Sequence, residues 1–129
     1  ASWAQRARKA FDDRIEKYPS ATAGHVLDYF IERGDPKRAL ELAEENHALR
    51  PGGEAKTLLA QAALRNGQTD KAKALVEAVA ETPYSTATYH ATAAIGFDKA
   101  GDKASADAAR KRAIALAPTA MEDLAWLAQ

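Results

Sequence analysis

At 129 residues, with 18 basic and 18 acidic side chains, the chain is the length of one ordinary domain and carries no formal net charge. That balance argues against nucleic acid and anionic membrane surfaces as partners, since both select a basic excess. The absence of Cys excludes disulfides, zinc-thiolate sites and thiol catalysis.

No run reaches the ~18 apolar residues that a membrane span needs. A soluble protein of either the cytoplasm or the periplasm is expected, with no direct membrane insertion. The opening Ala1-Ser2-Trp3 has neither an initiator Met nor a basic stretch leading into an apolar one. The chain therefore reads as a processed product or a piece of a longer protein.

Ala supplies about half of the 47% apolar residues, and β-branched and aromatic residues are sparse. Ala loses no side-chain entropy in a helix and lets helices approach closely. The class is all-α. In chain order the pattern predicts eight helices, at about 3–17, 21–33, 36–49, 54–66, 70–81, 86–100, 103–116 and 120–128. Pro19, Pro51, Pro83 and Pro118 each close a helical segment. Gly34, Gly67 and Gly101 are expected to supply left-handed helix stops, with Asp or Thr beyond them capping the next helix. In Asp35-Pro36 the carboxylate caps and the proline fits the first turn. The connections are short, so neighbouring helices should form antiparallel hairpins.

The punctuation repeats. Gly34, Gly67 and Gly101 are 33 and 34 residues apart, each is followed five residues later by Ala39, Ala72 or Ala106, and Pro51, Pro83 or Pro118 follows 11 or 12 residues after that. The N-terminal stretch repeats the second half of this unit with Ala7, Phe11 and Pro19. A period of about 34 residues marks a solenoid of helical hairpins.

On these residues the chain resembles the tetratricopeptide repeat family, in degenerate form. Ala39, Ala72 and Ala106 match the small residue of the second helix, and the prolines match the terminator. The four patterned first-helix positions read Ala23, Val26, Leu27, Phe30, then Lys56, Leu59, Ala60, Ala63, then His90, Ala93, Ala94, Phe97. Leu27 stands where the family has a small residue, which predicts a splayed first hairpin or a slipped register. The family Trp is missing, and the second-helix aromatic survives only as Phe11. The resemblance implies a right-handed superhelical stack of antiparallel hairpins, an α-solenoid of about eight helices. It divides the chain into 1–19 (half a repeat), 20–52, 53–85, 86–119, and 120–129 as the start of a further repeat or a capping helix.

The family register places one surface of the first helices on a concave inner face. That face would carry Gly24, Asp28, Ile31 and Glu32, then Thr57, Gln61, Leu64 and Arg65, then Ala91, Ile95, Asp98 and Lys99. These residues share a face in each helix through their three- and four-residue spacing. The bland alternative is the solvated side of amphipathic helices. A carboxylate clamp of the kind some family members use has no cationic material here, because its places hold Gly24, Asp28, Leu58, Thr88 and Thr92.

Other constellations carry little chemistry. His25, His47 and His90 lack metal-ligand spacing. The Arg38, Glu41, Glu44, Glu45 stripe reads as a solvated face. Pro51-Gly52-Gly53, followed by Lys56 and Thr57, lacks the rest of a phosphate loop. Tyr84 and Tyr89 suit helix-end packing better than a binding hot spot. Met121, Leu124, Trp126 and Leu127 make the last helix apolar, suited to the next helix of a longer protein or to folding back as a cap.

The expectation is a non-catalytic scaffold without cofactor or metal, holding a protein or peptide ligand on the concave face. Two alternatives stand beside it: self-association into a homo-oligomer through open repeat ends, and an accessory repeat domain of a larger enzyme. The Ala-rich, Cys-free composition has a bacterial character.

Overall fold

A computed structural model describes residues 27–129. The helix expected at 3–17 lies outside the described residues, as do Trp3, Ala7, Phe11, Pro19, Ala23, Gly24, His25 and Val26. The described residues are helical with short connections and no strand. We number the helices α1 (27–33), α2 (Pro36–Leu49), α3 (Gly53–Arg65), α4 (Thr69–Ala80), α5 (Ala87–Lys99), α6 (Lys103–Leu116), α7 (Ala120–Asp123) and α8 (Ala125–Ala128).

The boundaries follow from local chemistry. Asp35 caps α2, its Oδ2 accepting from Arg38 N at 3.0 Å with Pro36 in the first turn. Asp102 caps α6 in the same way, its Oδ1 accepting from Ser105 N at 3.1 Å. Each such cap contributes about 1 kcal/mol. Before α4 the cap position falls to Gln68, which makes no side-chain capping bond, and Thr69 is already helical.

Gly67 (φ 71°) and Gly101 (φ 85°) take the left-handed stop, letting Gln68 N reach Ala63 O and Asp102 N reach Phe97 O, both at 2.9 Å. Gly34 does not. Its φ is not positive, and it is small for another reason: a Cβ there would lie 2.7 Å from the Phe30 ring. The expected left-handed stop at Gly34 is corrected accordingly. Gly53 is a second close approach, since a Cβ there would run into the Tyr84 ring.

Consecutive helices pack as antiparallel neighbours from α2 through α6. In addition α3 packs on α5, while α2 on α4 and α4 on α6 do not pack as closely. First helices are thus nearer one another than second helices are, and the ribbon curves with the first helices inside.

Burial follows this arrangement. In α3 every residue from Thr57 to Leu64 is buried, and in α5 every residue from Tyr89 to Gly96. In α4 only Ala72, Val76 and Val79 are buried, and in α6 only Ala106, Ala109 and Ala113. The second helices are one-sided, as their sparse apolar stripe requires.

The core has two clusters. One gathers Leu27, Phe30, Ile31, Ala39, Leu42, Ala43, Leu58, Leu59 and Ala62. The other joins α3–α6 to the C-terminal segment. Leu27 is buried in the first cluster, together with Ala39 and Ala43.

The helix expected over 120–128 is interrupted. It breaks at Leu124 (φ −110°, ψ 18°) into two four-residue turns. α7 packs on α5 and α6, whereas α8 packs on α3.

Candidate functional site: the inner face of the first helices

Three helices build the inner face, and the described residues expected there divide by depth. Asp28, Asp98 and Lys99 are exposed, and Glu32 and Arg65 are half-buried. Ile31, Thr57, Gln61, Leu64, Ala91 and Ile95 are buried. Their covering comes from the chain itself. Leu124 and Leu127 are buried in the same cluster as Leu64, Ala91 and Ile95, and Trp126 packs against both clusters. The inner face is therefore not an open hollow along its whole length.

The polar groups are individually satisfied. Gln61 Nε2 donates to Thr92 Oγ1 at 3.0 Å, and the Thr92 hydroxyl donates to Thr88 O at 2.8 Å. This buried chain ties α3 to α5 at a defined register, because a lost partner would leave an orphaned polar group costing about 1–3 kcal/mol. Thr57 Oγ1 donates to Gly53 O at 2.7 Å within its own helix. Arg65 Nη1 donates to Ile31 O at 2.6 Å and Gly34 O at 3.1 Å, closing the C-terminus of α1. The position of Arg65 is thus structural, and a charge change there would disturb the stack before any guest.

At the far end, Asp98 pairs with Lys103, whose hydrogen bond and charge hold the Asp98 carboxyl below the usual carboxylate range. Lys99 Nζ donates to the main-chain oxygen of Gln129 at 3.3 Å.

Between α1, α3, α5 and the C-terminal segment a cleft of about 370 Å³ remains, lined by Asp28, Glu32, Gln61, Thr88, Asp123 and Trp126 among others. Among the described residues its charged lining consists of the carboxylates of Asp28, Glu32 and Asp123.

A second cleft lies between the α4–α5 connection, α5 and α6, with Tyr84, Ser85, His90 and Arg112 in its wall. Ser85 Oγ lies 2.7 Å from His90 Nε2. The pair is set by the start of α5: Thr86 Oγ1 accepts from Tyr89 N at 3.0 Å as its cap, Ser85 precedes the cap, and His90 lies one helical turn beyond it. Serine activation would require the imidazole to take up a proton. Burial and the Arg112 charge instead lower the His90 pKa, so the neutral ring is favoured.

Tyr89 is a packing residue, buried with its hydroxyl donating to Val76 O at 2.7 Å. Its ring meets Tyr84 edge-on at 6.2 Å. His47 Nε2 is buried with no hydrogen-bond partner among the described residues. No group of three metal-ligating side chains occurs among the described residues either.

The lowered His90 pKa has a consequence for stability. Below the ordinary histidine value of 6.5, the unfolded chain binds a proton that the folded state resists. Stability should therefore fall as pH drops below about 6.5, levelling only below the folded-state value. Urea titrations at pH 7.5 and 5.5 should show a smaller difference in His90→Gln than in the unaltered protein. An equal difference would remove His90 as the source.

Stacked antiparallel hairpins with first helices inside and one-sided second helices outside define an α-solenoid repeat protein. A family profile described as tetratricopeptide repeat matches residues 30–95, half of the chain. The chain belongs to the tetratricopeptide repeat family. No curated protein and no solved structure matches it. Repeats of this family generally mediate protein–protein interaction and are typically non-catalytic. No helix among the described residues is long and apolar enough to cross a membrane.

Proposed function

We propose that this chain is a protein-binding scaffold whose inner face receives a peptide or protein segment. The observation that carries it is the seat itself: the first helices present an apolar floor of small and branched residues, and a segment of chain is already packed along it. Ala91 contributes a small side chain to this floor, and Leu64, Ile95 and Ile31 supply area. Asp28, Glu32 and Asp98 with Lys99 form the rim, and a rim of this kind selects partners more than it adds affinity. A rigid stack holds this surface in place before binding, which reduces the ordering cost.

Peptides selected against the folded protein from a display library provide the probe. Their binding should shift amide signals of α1, α3 and α5 and leave the outer faces of α2, α4 and α6 unmoved. Thr88 is exposed on the cleft, so Thr88→Trp should weaken the selected peptides about tenfold, with stability held within roughly 0.5 kcal/mol. Shifts confined to the second helices, with Thr88→Trp silent, would reject the inner face.

A further inference from the structure

The occupant of the inner face comes from the same chain. After α6 the chain turns at Pro118–Thr119, α7 settles on α5 and α6, and α8 reaches α3. A helix opening a further repeat would stack beyond α5 and α6, because each repeat touches only its neighbours. Contact with α3 instead means that the segment doubles back across the inner face. The break at Leu124 permits this, turning α8 out of line with α7.

Three side chains hold the segment. Leu124 and Leu127 are buried, and Trp126 packs on both core clusters, with Leu27, Phe30 and Ile31 in one and Leu64 and Ile95 in the other. Lys99 adds the hydrogen bond to Gln129 O. Two four-residue turns have no helical stability of their own. Docking of those side chains is therefore what keeps them folded, and such an element opens locally before the stack does.

Building on the scaffold function proposed above, we infer that residues 120–129 are a resident ligand of the inner face. An outside partner is a short segment presenting Leu and Trp side chains at the same spacing, and it binds by displacing the resident. A tethered competitor acts at an effective concentration in the millimolar range. A guest sees its affinity reduced by the fraction of molecules with the segment undocked, so 99% docking weakens it about a hundredfold.

The probe is a fluorescein-labelled synthetic peptide with the sequence of residues 118–129, followed by fluorescence anisotropy. Trp126→Ala in the full chain should bind it at least tenfold more tightly than the unaltered protein does. The same peptide with its Trp replaced by Ala should lose that gain. Equal affinity for both proteins, or tightening that survives the altered peptide, overturns the inference.

Trp126→Ala could also loosen the stack, so a second measurement uses the unaltered protein. Excess unlabelled peptide should speed hydrogen exchange at amides 124–128 while α4 and α6 keep their protection. Unchanged exchange at 124–128 overturns the inference, as does dimerisation by exchange of these segments between two copies. If library peptides map to the inner face while 124–128 stays docked, the scaffold function stands and the resident ligand alone fails. Peptides mapping to the second helices would remove the scaffold function first.

Discussion

Phe30→Ala is expected to cost about 3–5 kcal/mol, the range for emptying a buried aromatic site. Phe30 is 3% exposed and belongs to the cluster that joins α1 and α2 to α3. Its ring also fills the space left by Gly34, where a Cβ would come within 2.7 Å of it. Its neighbours in that cluster include Ala39, Ala43 and Ala62, which carry only a methyl each, beside the larger Leu27, Ile31, Leu42, Leu58 and Leu59. Against a total stability of the order of 5–15 kcal/mol, such a loss is a large fraction. It should also be local. In a linear stack, stability is a sum of repeat and neighbour-interface contributions. Hydrogen-exchange protection should drop over residues 36–49 and persist over 103–116. Phe97→Ala provides the comparison, since Phe97 is only partly buried at the edge of the other cluster and should cost less. Uniform loss of protection along the whole chain would mean that the hairpins fold as one unit, contrary to the stacked architecture.

The parts of the fold legible in the sequence are those set by local chemistry. The helix expected at 36–49 spans Pro36–Leu49, because Asp35-Pro36 opens it and the Pro51 loop closes it. Gly67 and Gly101 stop their helices as left-handed residues. Gly34 looked the same on paper but is small because of a ring one helical turn back, a contact no local pattern reveals.

The C-terminal segment shows the same limit more strongly. Met121, Leu124 and Leu127 recur at three-residue spacing, which predicts one continuous helix. The observed break at Leu124 accompanies docking of α8 on α3, a helix some sixty residues earlier in the chain. Depth on the inner face was illegible for that reason too. Family register can place Gln61, Leu64 and Ile95 on one surface, yet it cannot say that Leu124, Trp126 and Leu127 cover it. The Gln61–Thr92 hydrogen bond and the Ser85–His90 pair likewise join residues whose meeting depends on how helices stack and how a connection turns.

Ala72→Leu tests the close approach on which the hairpin depends. Ala72 is fully buried on α4, in the same cluster as Ala60 and Ala63 of α3, which are also fully buried. Helix separation at a contact is set by its side chains, and alanines allow a closer approach than larger residues do. A leucine there adds three carbons where no space exists, and overpacking of this kind costs about 1–3 kcal/mol. The upper end applies here, because relief requires α4 to move outward as a unit. That movement would also strain the seat of Val76 and Val79 and the hydrogen bond from Tyr89 to Val76 O. Ala74→Leu is the matched control. Position 74 is exposed on the same helix, so the same change in volume and helix propensity should stay within roughly 0.5 kcal/mol. Urea midpoints compared at equal slope should separate the two variants by about 2 kcal/mol or more. If Ala72→Leu proves as mild as Ala74→Leu, α3 and α4 have slack between them. The repeating alanine at positions 39, 72 and 106 would then need a cause other than tight hairpin packing.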